Sequence, residues 1–262
     1  MNTQPIGLFD SGIGGTSIWQ EVIKLLPHEN TIYLSDSKNA PYGEKTVEEI
    51  LQLSIKNTEL LLSKGCKLII VACNTATTNT ISYLRKNYNV PFIGIEPAIK
   101  PAALLSNTGS IGILATKGTL SSALFAKTAQ EYTKNINVVE QDGEGLVKLI
   151  ESGKIHSEEL NALLKKYLKP MVTQNIDHLV LGCTHYPYLI PSIKNIIGNT
   201  IKIIDSGEAV AKQTKTILSQ HNLLNTSRLQ VKHYLYINTE SSVLKSILNN
   251  VNANFRVEEM NF

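Results

Sequence analysis

The chain has 262 residues, 42% of them hydrophobic and 18% charged, with a formal net charge of +3. That composition suits a globular protein with one large or two modest domains and a buried core, and the small charge without a basic block gives no signal for nucleic acid. Three cysteines without framework spacing argue against a disulfide scaffold, no apolar stretch is long enough to span a membrane, and MNTQPIGLFD lacks the regions of a signal peptide, so a soluble cytoplasmic protein is expected.

In chain order, strand-like apolar runs fall at 6–9 (IGLF), 31–35 (TIYLS), 67–72 (KLIIVA), 92–95 (FIGI), 110–115 (SIGILA), 136–140 (INVVE), 178–182 (HLVLG) and 201–205 (IKIID). Continuous apolar runs bounded by turn residues suit parallel strands covered on both faces. Helical patterns lie between them. In TSIWQEVIKLLP, Trp19, Val22, Ile23 and Leu26 share one face and Pro27 marks the exit. A further helix opens at Thr46 with Thr-Val-Glu-Glu, a capping-box pattern, and ends at Gly65. The βαβα rhythm predicts an α/β fold with largely parallel sheets.

The sequence also echoes itself. IGLFDSGIGG (6–15) and IGILATKGTL (111–120) both read as strand, polar turn, helix. KLIIVACNT (67–75) and HLVLGCTH (178–185) both read as strand, cysteine, small polar residues, helix. Offsets of about 105 and 110 residues are far longer than a solenoid period and indicate two similar α/β halves. Each half ends an equivalent strand in a cysteine, Cys73 and Cys183. Ligands of open α/β sheets sit at the carboxyl ends of strands, so two such ends facing each other place two thiols across one cleft. Taken singly, either cysteine reads as core packing; the pair reads as chemistry.

Asp10-Ser11-Gly12-Ile13-Gly14-Gly15 is a glycine-rich turn before a helix, able to aim backbone N–H groups at an anion, yet it matches neither nucleotide fingerprint. A tight strand-to-helix turn is the plain reading, a bound carboxylate the functional one. Asn74 and Thr75 behind Cys73, and Thr184 and His185 behind Cys183, supply donors suited to an α-carboxylate. A cysteine at a helix N-terminus is expected to have a lowered pKa. Neither thiol has a C-x-x-C partner, so a structural zinc site is not indicated. Two opposed thiols suit removal of a proton from one face of a carbon and its return to the other, with Asp10 and His185 as helpers. Glu151 alone reads as a solvated helix face, and Tyr42 in the loop DSKNAPYG (36–43) reads equally as a surface or a binding residue. Cys66 reads as core, and the other histidines as structural or solvent-facing.

FDSGIGG (9–15), DSKNAPYG (36–43), ACNTATT (72–78), GIEPAIKPA (94–102) and GCTHYPYL (182–189) together resemble the cofactor-independent aspartate/glutamate racemases, the glutamate racemases in particular. The resemblance runs from residue 6 to about 206. It implies that Cys73 and Cys183 are proton acceptor and donor, and that Asp10, His185 and Glu151 assist. It also implies substrate contacts at Asp10, Ser11, Tyr42, Gly43, Asn74, Thr75, Thr184 and His185. The implied reaction interconverts L- and D-glutamate without pyridoxal phosphate or metal, feeding peptidoglycan synthesis, with a homodimer as the expected assembly. Aspartate racemases share the paired cysteines but resemble GCTE at the second, so His185 favours glutamate. A cysteine hydrolase with His185 as base leaves the duplicate cysteine unexplained. The implied fold is two flavodoxin-like domains with the site between them: residues 1–97 plus 207–262 form a discontinuous first domain, and 98–206 form the second. Glu96-Pro97 and Asp205-Ser206-Gly207 are the expected crossing points, with tail strands at 231–237 and 255–259.

Overall fold

The computed structural model describes residues 3–227 and 230–262. The strands are β1 (Ile6–Asp10), β2 (Thr31–Ser35), β3 (Leu68–Val71), β4 (Phe92–Gly94), β5 (Ser110–Ala115), β6 (Asn137–Asp142), β7 (His178–Gly182), β8 (Lys202–Ile204), β9 (His233–Ile237) and β10 (Phe255–Glu259). They form two sheets, ordered β10-β9-β2-β1-β3-β4 and β6-β5-β7-β8. Each pairing within them is parallel. The α/β expectation therefore holds, and so do both tail strands, which return to the first sheet beside β2.

Alternation along buried strands decides what each face packs against. Ile6 and Leu8 of β1, with Leu68 and Ile70 of β3, join the cluster that holds Trp19 and Val22 of the helix Thr16–Leu25. Phe9, Ile69 and Val71 point the other way, to Ile50 and Leu61 of the helix Val47–Ser63. Cys66 packs in that second cluster, as expected of a core thiol. The helix Val47–Ser63 starts with the capping box read from the sequence, Thr46 and Glu49 each bonding the other's backbone N–H. It stops before Gly65, whose φ of +77 is a left-handed conformation that glycine adopts without strain.

In both sheets the chain reverses its direction of travel next to the first strand of its half. After β1 it adds β2 on one side and then β3 on the other; after β5 it adds β6 and then β7. Such switch points open a crevice beyond the strand ends. Cys73 follows β3 and Cys183 follows β7, so the internal echo places both cysteines at the switch points. The two crossings between sheets also meet, because Ser206 Oγ donates to the Glu96 carbonyl at 2.5 Å.

One expectation fails locally. No α-helix starts directly after Cys183: a 3-10 turn, Tyr186–Leu189, precedes the helix Ile190–Ile197. Pro187 and Pro191 lack the N–H needed for a continuous ladder, which confines them to the first positions of their respective turns. Among the described residues no helix is long and apolar enough to cross a membrane.

Candidate active site

Cys73 is the N-cap of the helix Asn74–Asn87, and its Sγ accepts the Ala76 N–H at 3.4 Å. Its thiol donates to Ser11 Oγ at 3.7 Å, and Ser11 donates to Asp10 Oδ1 at 3.4 Å. Asp10, the last residue of β1, is fully buried. Its Oδ2 accepts the Gly15 N–H at 2.6 Å and the Thr184 hydroxyl at 3.2 Å. Burial raises the Asp10 pKa, with His185 opposing it.

Helix-terminal position predicts a lowered pKa for Cys73, and the structure reverses that expectation. Burial, reinforced by the Asp10 charge, holds the thiol well above its ordinary value, and the Ala76 N–H only partly offsets this. Long hydrogen bonds to sulfur from the Ala76 N–H and Ser11 do not replace the hydration lost by a buried thiolate. The same burial pushes Cys66 up to about 12.

Cys183 has different company. Its Sγ lies 3.7 Å from His185 Nδ1, and His185 Nε2 lies 2.5 Å from Glu151 Oε1. Burial disfavours the imidazolium, but the hydrogen bonds to Cys183 and Glu151 outweigh it and set the His185 pKa well above 6.5. A protonated ring donates from both nitrogens, to the sulfur and to the carboxylate, whereas the Gly14 N–H that points at Nε2 from 3.2 Å finds an acceptor there only in the neutral ring. Glu151 closes the helix Leu146–Glu151, and its side chain is only 15% exposed. It also accepts the Ile13 N–H at 2.7 Å on Oε1 and the Ser37 hydroxyl at 2.8 Å on Oε2.

The turn 10–15 therefore does hold carboxylates, and they are the protein's own. Ile13 N–H binds Glu151, and Gly15 N–H binds Asp10. A methyl group at Gly12 would overlap the Glu151 carboxylate, and one at Gly14 the His185 ring. Tyr33 pins the turn by donating to the Gly12 carbonyl at 2.6 Å.

Thr75 and Asn74 behave differently from each other. Thr75 Oγ1 shares a hydrogen bond with Thr116 Oγ1 at 2.8 Å, and both approach Thr119 Oγ1, at 3.3 and 3.1 Å. Asn74 is buried, yet neither its Nδ2 nor its Oδ1 has a partner among the described residues. Such a group is costly unless something supplies its bonds. Tyr42 is no surface residue. It is 1% exposed, with its hydroxyl donating to Asp36 Oδ2 at 2.6 Å and accepting from Asn57 at 3.1 Å. Only its backbone is left for a ligand. Gly43, Thr116, Gly118, Asp142, Gly143 and Lys148 line a cleft of about 490 Å³ whose walls include neither Cys73 nor Cys183.

Ser37, Thr116 and Thr119 escape the reading of the sequence. Thr116 carries a signal that residue-by-residue use of the echo reveals: it occupies the position of Ser11 in the second half. Ser37 carries none, because its partner is 114 positions away.

The description Asp/Glu/Hydantoin racemase belongs to the family model that matches residues 14–214. A glutamate racemase of Herpetosiphon aurantiacus is 44% identical over 230 residues, covering 88% of this chain and 91% of the relative. A crystal structure of a Bacillus anthracis glutamate racemase superposes with a TM-score of 0.89 at 31% identity, over 100% of this chain and 99% of that one. An Escherichia coli glutamate racemase, crystallised with L-glutamate and an activator, gives 0.86 at 29% identity over 98% of both chains. On sequence and on fold alike, this chain belongs to the Asp/Glu/Hydantoin racemase family.

Proposed function

We propose that this chain is a glutamate racemase that moves a proton between Cys73 and Cys183 through the α-carbon of glutamate, with no pyridoxal phosphate and no metal. The observation that carries this reading is the separate polar relay behind each buried thiol, Ser11–Asp10 behind Cys73 and His185–Glu151 behind Cys183, with both relays meeting at the turn 10–15. The named activity of the similar proteins and the L-glutamate bound to the Escherichia coli one agree with it.

The two environments divide the roles in the resting enzyme. Cys73 is kept as a thiol by burial and by the Asp10 charge, which suits a proton donor. Cys183 has a basic ring beside it, with His185 Nδ1 3.7 Å from its sulfur, and that partner suits the base. The thiolate takes the α-proton, and the electron pair left on the α-carbon collects the Cys73 proton on the opposite face. The stereocentre inverts, and thiol and thiolate have exchanged places. Asn74, Thr75 and Thr184 with the backbone of Tyr42 and Gly43 hold the substrate; the unpartnered Asn74 amide supports a polar guest beside Cys73.

The same reading takes the product D-glutamate into peptidoglycan synthesis, in the cytoplasm, with a homodimer as the assembly. It divides the chain into 1–97 plus 207–262 and 98–206, of which residues 1–2 and 228–229 lie outside the described residues. The grouping of β1–β4 with β9–β10 and of β5–β8 supports that division.

Incubation of the protein in deuterated water tests the reaction. Solvent deuterium should appear at the α-carbon of either glutamate enantiomer, and Cys73→Ser and Cys183→Ser should each abolish racemisation. Folded protein that exchanges neither enantiomer, or that racemises with one cysteine removed, refutes the two-base reading.

A further inference from the structure

Glu151 and His185 both belong to the second half of the chain, yet Glu151 is held by a hydroxyl from the first. Ser37 lies in the loop after β2, and its Oγ donates to Glu151 Oε2 at 2.8 Å. The other oxygen, Oε1, serves the Ile13 N–H and His185 Nε2. Each carboxylate oxygen thus has its own donors. Loss of the Ser37 bond frees Oε2 and lets the carboxylate turn about its last torsion, which is intrinsically soft.

The Ser37 hydroxyl is itself directed. It shares a hydrogen bond with Ser35 Oγ at 3.1 Å, so it can accept from Ser35 while donating to Glu151. The backbone on either side is fixed as well, since Lys38 N–H donates to Asn238 Oδ1 at 2.9 Å and Asn39 N–H to the Asp36 carbonyl at 2.9 Å. One turn earlier on the Glu151 helix, Lys148 pairs with Glu44 of the first half at 2.8 Å, but both side chains are more than half exposed. Exposed pairs hold little. The Ser37 contact, to a carboxylate that is only 15% exposed, sets the position of Oε2 as the Ile13 N–H sets that of Oε1.

We propose that Ser37 is a positioning residue for the reaction: by fixing Glu151, it keeps the His185 imidazole aimed at Cys183. This rests on the two-cysteine reading above. The effect falls mainly on one side, because Ser37 bonds the Glu151 carboxylate directly, whereas the Ser11–Asp10 relay behind Cys73 meets that carboxylate only through the backbone of the turn 10–15.

One-sidedness gives the test its specificity. Enantiomers have equal free energies, so kcat/KM must stay equal in the two directions whatever is mutated. Isotope effects carry no such constraint. If only proton transfer at Cys183 slows, the primary effect of α-deuterium on kcat/KM rises for the enantiomer deprotonated there. It falls for the other, whose deprotonation at Cys73 is no longer limiting. Ser37→Ala should lower kcat roughly tenfold to a hundredfold with KM within about twofold, the scale expected of a slight misplacement of a catalytic group. Ser37→Thr, which keeps the hydroxyl, should restore both the rate and the isotope effects.

Glu151→Gln should give the same split of isotope effects even if Ser37→Ala folds poorly. The double variant should be no slower than Glu151→Gln alone, because Ser37 acts through Glu151. Wild-type isotope effects in Ser37→Ala, equal loss in Ser37→Thr, or multiplicative losses in the double variant overturn the proposal. Absence of racemisation by the wild-type protein in the same assay overturns the parent reading instead.

Discussion

Cys73 occupies a helix N-cap, a position that ordinarily favours a thiolate, and is nonetheless held as a thiol. The reason is local competition. Burial and the Asp10 charge act against the thiolate and outweigh the hydrogen bonds from the Ala76 N–H and from Ser11, which act for it. Titration with iodoacetamide followed by peptide mass spectrometry should show this. At about pH 8, near the ordinary thiol value, Cys66 and Cys73 should remain unmodified in the free protein. Alkylation of Cys73 should accelerate as pH rises further, and Asp10→Asn should bring that rise to lower pH by removing the nearby charge. The sign follows from linkage: a pKa raised in the folded state means the proton is lost only at higher pH. Alkylation of Cys73 at neutral pH as fast as that of an unfolded peptide would contradict the assignment.

At the scale of elements, the turn 10–15 is the piece on which both halves converge. Its glycines are required for different reasons from those of most turns. Gly12 and Gly14 have no side chain because Glu151 and His185 occupy that space. Gly14→Ala must displace the His185 ring, so kcat should fall about a hundredfold while the fold survives. Gly65→Ala provides the contrast. Nothing lies within 4 Å of its added methyl, and the cost comes only from φ at +77. It should lose about 1 kcal/mol of stability and keep full activity. Urea unfolding and racemisation assays on the two variants separate the cases, and a Gly14→Ala enzyme of normal rate would show that the ring is not constrained by the turn.

For the whole molecule, the C-terminal return to the first sheet is anchored by a buried ion pair. Lys67 Nζ donates to Glu29 Oε2 at 2.6 Å and to the Leu223 carbonyl at 2.7 Å, and Glu29 Oε1 accepts the Asn225 N–H at 2.7 Å. The segment after the helix Gly207–Gln220 is thereby fixed under the sheet before it enters β9. Lys67→Met leaves Glu29 buried without its cation and should cost about 3–5 kcal/mol. Removing both charges should cost less than the sum of the single changes, as read from urea midpoints. An additive result would mean that the two groups are not coupled.

The strands, their parallel arrangement, the duplication and the matching positions of Cys73 and Cys183 at two strand ends were all legible in the sequence. Apolar run length, turn residues and side-chain chemistry are local properties, and a repeated order of them survives in one dimension. Asn74, Thr75, Thr184 and His185 were legible for the same reason, as neighbours of the cysteines. Tyr42 was not, since its burial against Asp36 and Asn57 depends on how a loop folds back. Nor was the thiol state of Cys73, because desolvation is a property of everything packed around a group. Sequence by itself determined two α/β halves with one cysteine at an equivalent strand end in each. Only the tertiary structure decided which groups those cysteines answer to, because Ser37 reaches Glu151 across 114 positions and Thr184 reaches Asp10 across 174. Hydrogen bonds of that span exist only once both sheets have been built.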